Sequence, residues 1–464
     1  MIGRRLELVA LCGVVATLPF YLFSWEIGGQ SISPTEAAIL LAASVIGTRR
    51  LIGRIGQAGP HPPVPPPSQV QPSSEASAAP DEPHPPAPSP TRREGVVLPL
   101  PLGEGRGEGR TGGEVFPAWD RFDPPIVLFL VAALLSLLAT EYLRLSFREL
   151  RTLIVEPILF WYLCRAVLRS PADAAWLVAT LLGVSSLVAA IGLAQLVLGG
   201  AVTDVQGVRR VLGTYTSPNH FALLLGRALP FLAAIAWIVP RWRRLAVVGS
   251  LLCGGALLAT FSVGGWLGTG AALLVVVGLA GGRRAVAGLT VAGLLAAVVL
   301  FVALPVERLA GRLDPRQGTS FVRIQLWQAA IELGQQSPVL GIGLDNFLYR
   351  YPTVMPPDTP YEPNLSHPHN LILQFWLQLG LPGLFAFVWL LWIFVTLAWP
   401  RAHEATGPPL DRALAIGALG SMTDLVAHGL VDNSYFLPDM AVVFWVTLAL
   451  AATSGGAAPH GASA

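Results

Sequence analysis

Charged side chains are scarce in this chain. Only 12% of its 464 residues are Asp, Glu, Lys or Arg, whereas about 25% is usual for a soluble domain, and 53% are hydrophobic. Lysine is absent, so all 30 strongly basic side chains are arginines, and a net charge of +2 gives no indication of a nucleic-acid partner. The composition therefore excludes an ordinary soluble protein and indicates an integral membrane protein.

Cysteine is also rare. Cys12, Cys164 and Cys253 lie in or at the edge of apolar runs, and their spacing matches no metal-binding or redox motif. We interpret them as small core residues.

Apolar runs long enough to cross about 30 Å of hydrocarbon recur through most of the chain. They predict an all-α, polytopic integral membrane protein with about twelve transmembrane helices and one long extracytoplasmic loop that contains short helices. The first run lacks the cleavage site of a signal peptide, and a second run follows soon after, which favours an uncleaved span. The tenth is long enough to be a kinked or re-entrant helix followed by a span. The predicted spans are 6–24, 33–48, 125–143, 150–168, 173–199, 217–239, 243–261, 264–281, 284–304, 369–399, 411–430 and 435–453.

The spans divide the chain into six parts. Residues 49–124, above all 57–117, are dense in proline with alanine, serine and glycine. They cannot bury enough apolar surface to offset the entropy of ordering, so we expect a disordered cytoplasmic insertion. The other predicted parts are helices 1–2 in 1–48, helices 3–9 in 125–304, the extracytoplasmic loop in 305–368, helices 10–12 in 369–453 and a C-terminal tail in 454–464.

Arginine clusters predict the orientation. With twelve spans, the arginine-rich ends all fall on one side, which the positive-inside rule makes cytoplasmic. Both termini are then inside, in the inner (cytoplasmic) membrane. Segments 144–151, 199–216 and 305–368 lie outside and carry arginines against the rule, either by chance or because these arginines bind an anion.

The first polar group at an outer mouth precedes the sixth span. Arg209 and Arg210 come before Ser217-Pro-Asn-His220, where Ser followed by Pro is a helix-start signal. Asn219 and His220 then fall in the first turn, where free backbone N–H groups favour an anion. Plain helix capping with two chance arginines remains the alternative.

The second polar group lies in the long loop. An amphipathic helix is predicted over 321–334, with Arg323 one turn from Trp327, whose indole could pack along the arginine stem. Gly341 and Gly343 follow and indicate a tight loop or a close backbone approach.

The third polar group introduces the tenth span. A helix that starts at His369 would place Asn370, Gln374 and Gln378 on one stripe, which must face the interior of the bundle because unsatisfied amides are costly in hydrocarbon. Asp424, His428 and Asp432 have the same spacing of four and the same requirement.

Histidine at such a mouth can be structural, a metal ligand or a base. His367 and His369 lack nearby carboxylates in sequence, which disfavours a metal. Neutral imidazole can take a proton from an attacking hydroxyl while arginines hold a phosphate-bearing leaving group, so a base fits better.

This pattern resembles the O-antigen ligase family, membrane enzymes that also include O-antigen polymerases. His369-Asn370, nine residues and then Gly380-Leu-Pro-Gly383 match the motif H-N-x9-G-x2-G. Residues 210–222 are similar to the family's arginine, Gly-Thr-aromatic and Pro-Asn segment, and Arg323 with 338–347 is similar to its loop helix and following turn. The resemblance covers about residues 200 to 385, and the Pro-rich insertion departs from it.

The resemblance implies a glycan donor linked to undecaprenyl diphosphate, a saccharide hydroxyl or another lipid-linked glycan as acceptor, and no metal or cofactor. His369, Arg210 and Arg323 would be catalytic, and Arg209 would join the two arginines at the donor diphosphate. Attack at the anomeric carbon would expel the lipid diphosphate with inversion. Supporting residues would be Asn370, Asn219, His220, Trp327, Gly380, Gly383 and Asp432.

Two other functions are compatible with the sequence. A transporter of a small solute such as inorganic carbon would use the inward-facing polar stripes, and a glycan-binding assembly protein would bind without catalysis. The polar groups collect at one face rather than near the midplane, which favours the transferase. The sequence does not separate ligase from polymerase.

Overall fold

The structure is a computed structural model that describes residues 2–21, 23–27, 30–57, 119–199, 202–205, 208–303, 318–355 and 366–453. The chain divides into two compact units, residues 1–49 with 115–464, and residues 50–114. In the second unit only 50–57 are described, as helix. Most of the predicted insertion, the C-terminal tail and loop residues 304–317 and 356–365 therefore lie outside the described residues.

Helices dominate the described parts of the chain. They are α1 Ile2–Thr17, α2 Pro34–Gln57, α3 Asp123–Ser136, α4 Leu143–Glu149, α5 Glu156–Val167, α6 Pro171–Leu198, α7 Pro218–Ile238, α8 Arg243–Ala259, α9 Val263–Ala303, α10 Gly318–Gln336, α11 Phe347–Arg350, α12 Leu371–His403, α13 Pro409–Gly429 and α14 Pro438–Ala452. Four 3₁₀ turns (Leu18–Phe20, Leu137–Ala139, Pro240–Trp242 and Tyr351–Thr353) and a π-helical turn (Leu150–Val155) join or extend them.

Five of the described helical segments are long and apolar enough to cross a membrane: Pro171–Leu198, Pro218–Ile238, Pro240–Ala259, Val263–Val291 and Leu371–His403. Asp123–Ala139 and Pro438–Ala452 are shorter apolar helices. These segments support an all-α membrane protein. The count of twelve spans stays a prediction.

Two predicted features of the spans have a clear outcome. The expected kink in the tenth span is confirmed, because Gly380 interrupts α12 with φ of 66°. The eighth and ninth predicted spans fall within one element, α9, which breaks at Gly282 with φ of 74°. A left-handed glycine allows each break without the steric cost that a side chain would add.

Short strands were not expected from the sequence. Trp25–Ile27 (β1) pairs antiparallel with Gln30–Ile32 (β2), and Val202–Val205 (β3) pairs with Val208–Val211 (β4). In the second hairpin Thr203 is opposite Arg210 and Asp204 is opposite Arg209, so the hairpin presents both arginines ahead of α7.

The core forms around α7, which packs against α8, α9 and α13, while α12 packs against α3 and α13. Glycines allow the closest approach. A Cβ on Gly417 of α13 would lie 2.8 Å from Phe231 Cα, and one on Gly420 would lie 2.6 Å from Pro230 Cβ. Small residues at helix contacts are the usual means of close packing in membranes, and these two glycines let α7 and α13 pack closely.

Segment 140–149 and the turn before α11 pack on each other. Asn346 Oδ1 accepts hydrogen bonds from the backbone N–H groups of Glu141 and Tyr142, both at 3.2 Å, and Ser146 Oγ donates to Leu344 O at 2.6 Å. Two segments that the sequence analysis placed on the outside are thus joined by a buried polar contact.

Candidate functional site

His369 and Asp432 form a hydrogen-bonded pair at the start of α12. His369 Nδ1 lies 2.9 Å from Asp432 Oδ1. With Nδ1 donating its proton to the carboxylate, the lone pair of the ring is on Nε2, where a neutral imidazole can accept a proton from a substrate. The sequence predicted both residues, but not that they are partners.

The backbone around His369 differs from the prediction. Helix α12 begins at Leu371 rather than at His369, because His369 has a left-handed φ of 51° that no helix continues. Asn370 is the N-cap, and its Oδ1 accepts from Leu373 N at 3.1 Å. Its Nδ2 donates to Leu430 O at 3.1 Å, which ties the start of α12 to the end of α13. A non-glycine residue with positive φ is uncommon and is often found at functional sites.

The turn after α13 fixes Asp432. Asp432 Oδ1 also accepts from Asn433 N at 2.8 Å, and the Asn433 side chain bonds the backbone of Phe436 at both its amide oxygen and its nitrogen. Burial raises the pKa of Asp432, but the hydrogen bond and charge of His369, with the nearby His428 and His367, outweigh it and hold the pKa well below its usual range. Asp432 therefore remains a carboxylate at neutral pH.

His367 lies beside this pair. Its ring centroid is 4.3 Å from that of His369, and its Nδ1 lies 3.1 Å from Ser366 Oγ. The pKa of His367 is lowered to about 3, mainly by burial and next by the neighbouring charge of His369. The ring is therefore neutral at pH 7.

Arg323, on α10, belongs to the same neighbourhood. Its guanidinium is among the nearby positive charges that, after burial, lower the pKa of His367. It is partly buried, and among the described residues it makes no hydrogen bond or ion pair. Trp327 lies one turn further along the same helix, with an indole N–H that is buried and has no partner in the described structure.

Arg210 lies at the start of α7, held by the hairpin. Its Nε donates to Thr260 O at 2.6 Å and its Nη2 donates to Asn219 Oδ1 at 2.7 Å. The Ser217 N-cap with Pro218 at the first helical position is confirmed. Arg209 is exposed on the same strand.

His220 is part of a network that sequence reasoning missed. Its Nδ1 lies 2.9 Å from Tyr21 Oη and its Nε2 lies 3.0 Å from Asp439 Oδ1, while Tyr215 Oη donates to Asp439 Oδ2 at 3.0 Å. Both ring nitrogens are therefore engaged, which gives His220 a structural position. The available signal was Asp439 itself, a carboxylate at the start of an otherwise apolar span.

Gly380 and Gly341 mark a backbone crossing between α12 and the loop. Ile342 N donates to Leu377 O at 2.7 Å, and Leu381 N donates to Pro338 O at 3.0 Å. A Cβ on Gly380 would lie 1.8 Å from Val339 O, and a Cβ on Gly341 would lie 2.2 Å from Leu377 O. The crossing attaches the turn that follows α10 to the kink of α12, and so holds α10 against α12.

Gly383 and Gly343 also lie in tight places. A Cβ on Gly383 would lie 2.2 Å from Leu379 Cβ, and one on Gly343 would lie 2.7 Å from Thr140 Cβ. The close backbone approach expected at Gly341 and Gly343 is thus confirmed, whereas the functional roles of these glycines stay predictions.

Polar side chains continue below the mouth, as the two stripes predicted. Gln374 and Gln378 are 2% and 4% exposed, and Asp424 and His428 are fully buried. Arg227 of α7 was not predicted. Its Nη1 donates to Asp424 Oδ2 and to Ser421 O, both at 3.1 Å, and its Nη2 donates to Ser434 O at 2.9 Å. A lone arginine in one span and a lone aspartate in another were the signal for this pair.

Within the described parts of the chain, one group of side chains could hold a metal ion. Single ligand atoms of His367, His369 and Asp432 all lie within 4.8 Å of one another. The sequence disfavoured a metal because no carboxylate lies near these histidines along the chain. In the fold the carboxylate comes from Asp432, which is distant in sequence.

Comparison with known families agrees with the motif. The family model described as O-antigen ligase matches residues 245–388. This segment, less than half of the chain, is similar to that family. The O-antigen ligase segment contains Arg323, His369, Asn370, Gly380 and Gly383, whereas Arg210 and Asp432 lie outside it. The family implies a membrane glycosyltransferase-like activity on lipid-linked glycans in general. No curated protein matches the chain.

Proposed function

We propose that the protein transfers a glycan from a polyprenyl-diphosphate-linked donor to a saccharide hydroxyl, at the outer face of the cytoplasmic membrane and without a metal cofactor. The single observation that carries the proposal is the His369–Asp432 hydrogen bond of 2.9 Å. A base oriented by a carboxylate beside a guanidinium is the arrangement that transfer from a diphosphate leaving group requires.

The proposed step forms one bond, breaks one bond and transfers one proton. The acceptor hydroxyl oxygen forms a bond to the anomeric carbon while the bond from that carbon to the donor phosphate oxygen breaks. The hydroxyl proton passes to His369 Nε2, and Asp432 stabilises the imidazolium that results. The bonding electrons leave with the lipid diphosphate, and attack opposite the leaving group inverts the anomeric centre.

Arg323 and Arg210 are the proposed ligands of the diphosphate, with Arg209 at the edge. Guanidinium groups bind phosphate through charge-assisted hydrogen bonds, which are stronger than neutral ones. Arg210 is already oriented by Thr260 O and Asn219 Oδ1, so it loses little side-chain entropy when the donor binds.

An apolar groove supports a lipid-linked donor. It has a volume of about 660 Å³ and lies between α7, α8 and α9, where Gly254, Leu257, Trp266 and Gly270 contribute to its walls. Helix α8 ends at Ala259, and the next residue, Thr260, accepts the hydrogen bond from Arg210. A prenyl chain in the groove would therefore place its diphosphate near Arg210.

The test is transfer by the purified full chain in lipid nanodiscs, with a synthetic prenyl-diphosphate-linked saccharide as donor. His369→Asn should lower kcat by about 10²- to 10⁴-fold, the usual contribution of a general base, with little change in donor KM. Arg323→Gln and Arg210→Gln should each weaken the reaction by about ten- to a hundredfold, the effect of losing a hydrogen bond to a charged group. Arg244→Gln, an exposed arginine at the opposite end of α8, is the matched control.

Full transfer by all three site variants would rule out the proposed roles, provided that each variant elutes as a single species of normal stability. Two acceptors separate the members of the family. A lipid A core saccharide identifies a ligase, and a second lipid-linked glycan identifies a polymerase.

A further inference from the structure

His367 has one ring nitrogen that faces a carboxylate without bonding it. Ser366 Oγ lies 3.1 Å from Nδ1, so the hydrogen bond of the ring is made on that side. Nε2 lies 4.0 Å from Asp432 Oδ1, beyond hydrogen-bond distance, and forms no hydrogen bond within the described structure. A nitrogen and a carboxylate oxygen that face each other across such a gap leave room for a cation between them.

The distances fit a four-coordinate ion. In a tetrahedral zinc site, metal–ligand bonds of about 2.0–2.2 Å place neighbouring ligand atoms about 3.3 Å apart. Asp432 Oδ1 lies 2.9 Å from His369 Nδ1 and 4.0 Å from His367 Nε2, values on either side of that separation. Small side-chain rotations are enough to bring the three donors onto one ion.

Two of the three donors also have the supporting hydrogen bonds that metal ligands usually make. Metal-bound histidine usually donates its other ring N–H to an oxygen, and His367 Nδ1 has Ser366 Oγ for this purpose. The Asp432 carboxylate is held by Asn433 N at 2.8 Å. By contrast, the other histidine and carboxylate pair near the outer mouths, His220 with Asp439, is already satisfied by two tyrosines.

We propose that His367, His369 and Asp432 form an inhibitory site for a divalent transition metal ion, with Zn²⁺ the best match to two imidazoles and one carboxylate. The fourth position would be filled by water. The site is a regulatory one, distinct from a catalytic metal centre, because the ion binds to the residue proposed as the base.

Inhibition follows from the tautomer of His369 and rests on the proposed transferase function. Coordination uses the lone pair of Nδ1, so the single proton of the neutral ring must then be carried on Nε2. The proton moves from one nitrogen to the other and none is released. An imidazole ring that binds the metal through one nitrogen and carries a proton on the other has no lone pair left to take the proton of the attacking hydroxyl.

Binding is tested first, without any activity assay. The untagged full chain in detergent is titrated with ZnCl₂ by calorimetry, and with CoCl₂ by visible absorption, which reports tetrahedral coordination. One ion per chain should bind at the site, and His367→Asn and Asp432→Asn should each weaken this binding by about tenfold or more. The matched control is His403→Asn, an exposed histidine at the far end of α12.

Unlike the ligand variants, Arg323→Gln should not weaken Zn²⁺ binding. Arg323 is a nearby positive charge that acts on His367, so its removal should leave Zn²⁺ binding equal or tighter. Equal Zn²⁺ affinity of the wild type, His367→Asn and Asp432→Asn would overturn the site. Zn²⁺ binding that is weakened in the His403→Asn control as much as in His367→Asn and Asp432→Asn would overturn it as well.

Transfer in nanodiscs is then measured with and without Zn²⁺. Loss of transfer at Zn²⁺ concentrations that fill the site, restored by EDTA, is the expected result. Stoichiometric binding with unchanged transfer would overturn inhibition. Stoichiometric binding to a chain that transfers nothing even after EDTA would contradict the proposed function and leave the metal site in place.

Discussion

Replacing Gly380 with alanine should detach the turn 338–343 from α12. The new Cβ would lie 1.8 Å from Val339 O, less than any real Cβ contact, and this oxygen belongs to the backbone and cannot rotate away. Gly380 also has φ of 66° with ψ of −177°, a combination nearly confined to glycine that costs a residue with a side chain about 1–3 kcal/mol.

The size of the effect follows from the crossing itself. Separation of the two backbones would break the hydrogen bonds Ile342 N to Leu377 O and Leu381 N to Pro338 O. At about 0.5–1.5 kcal/mol each, these add about 1–3 kcal/mol to the conformational cost. The docked turn should therefore be destabilised by about 2–6 kcal/mol, or roughly 30-fold to more than ten-thousandfold in its opening equilibrium.

Hydrogen exchange with mass spectrometry measures this directly at the amides of Ile342 and Leu381. Both should exchange faster in Gly380→Ala, while the core of α7 keeps its protection. Gly183→Ala is the matched control, because a Cβ at that glycine meets nothing within 4 Å. Unchanged protection of both amides in Gly380→Ala would show that the crossing does not hold the loop.

Three further predictions concern other parts of the molecule. Gly254 lines the groove and has open space around its Cβ position, so Gly254→Leu should raise the KM for a lipid-linked donor and leave kcat unchanged. The control Gly183→Leu should change neither constant. Equal donor KM values for the two variants would exclude the groove as the lipid site. Burial, with Asp345 next, raises the pKa of Glu149 from 4.5 to about 8, so the free energy of unfolding should fall as pH rises between these values. Glu149→Gln should flatten that dependence in thermal unfolding, and an unaltered slope would contradict the assignment. Arg227→Met leaves Asp424 buried without its partner and should cost about 3–5 kcal/mol of stability. Adding Asp424→Leu should recover most of that loss. A double variant no more stable than Arg227→Met would refute the importance of the pair.

Local features of the site could be predicted because they depend on a few neighbouring residues. Ser217 before Pro218 is a capping signal that acts within one turn, and the structure shows the cap. Gln374 and Gln378 had to face inward because lipid offers an amide no hydrogen bonds, and both are buried. The start of α12 was misplaced by two residues, because the left-handed φ of His369 has no signature in the sequence.

Partnerships across the chain could not be predicted. The pairing of His369 with Asp432, and of His220 with Asp439, depends on how separate helices and loops pack. The hairpin that carries Arg210 was missed as well, since two four-residue strands between long apolar runs are too short to give a periodic pattern. Spacing therefore identified the residue types of the site, and only packing identified which of them touch.

The network around His220 has a consequence for biosynthesis. Tyr21 follows the first helix of the chain, and Asp439 begins the last described one, yet both bond the same imidazole. At about 5–20 residues per second, the ribosome completes Asp439 roughly 20 to 80 s after Tyr21. During that interval the early helices persist with a tyrosine and a histidine that lack their carboxylate partner. Final assembly of this network therefore waits for α14, and a ribosome that stalls before this helix would leave a protein in which the network is incomplete.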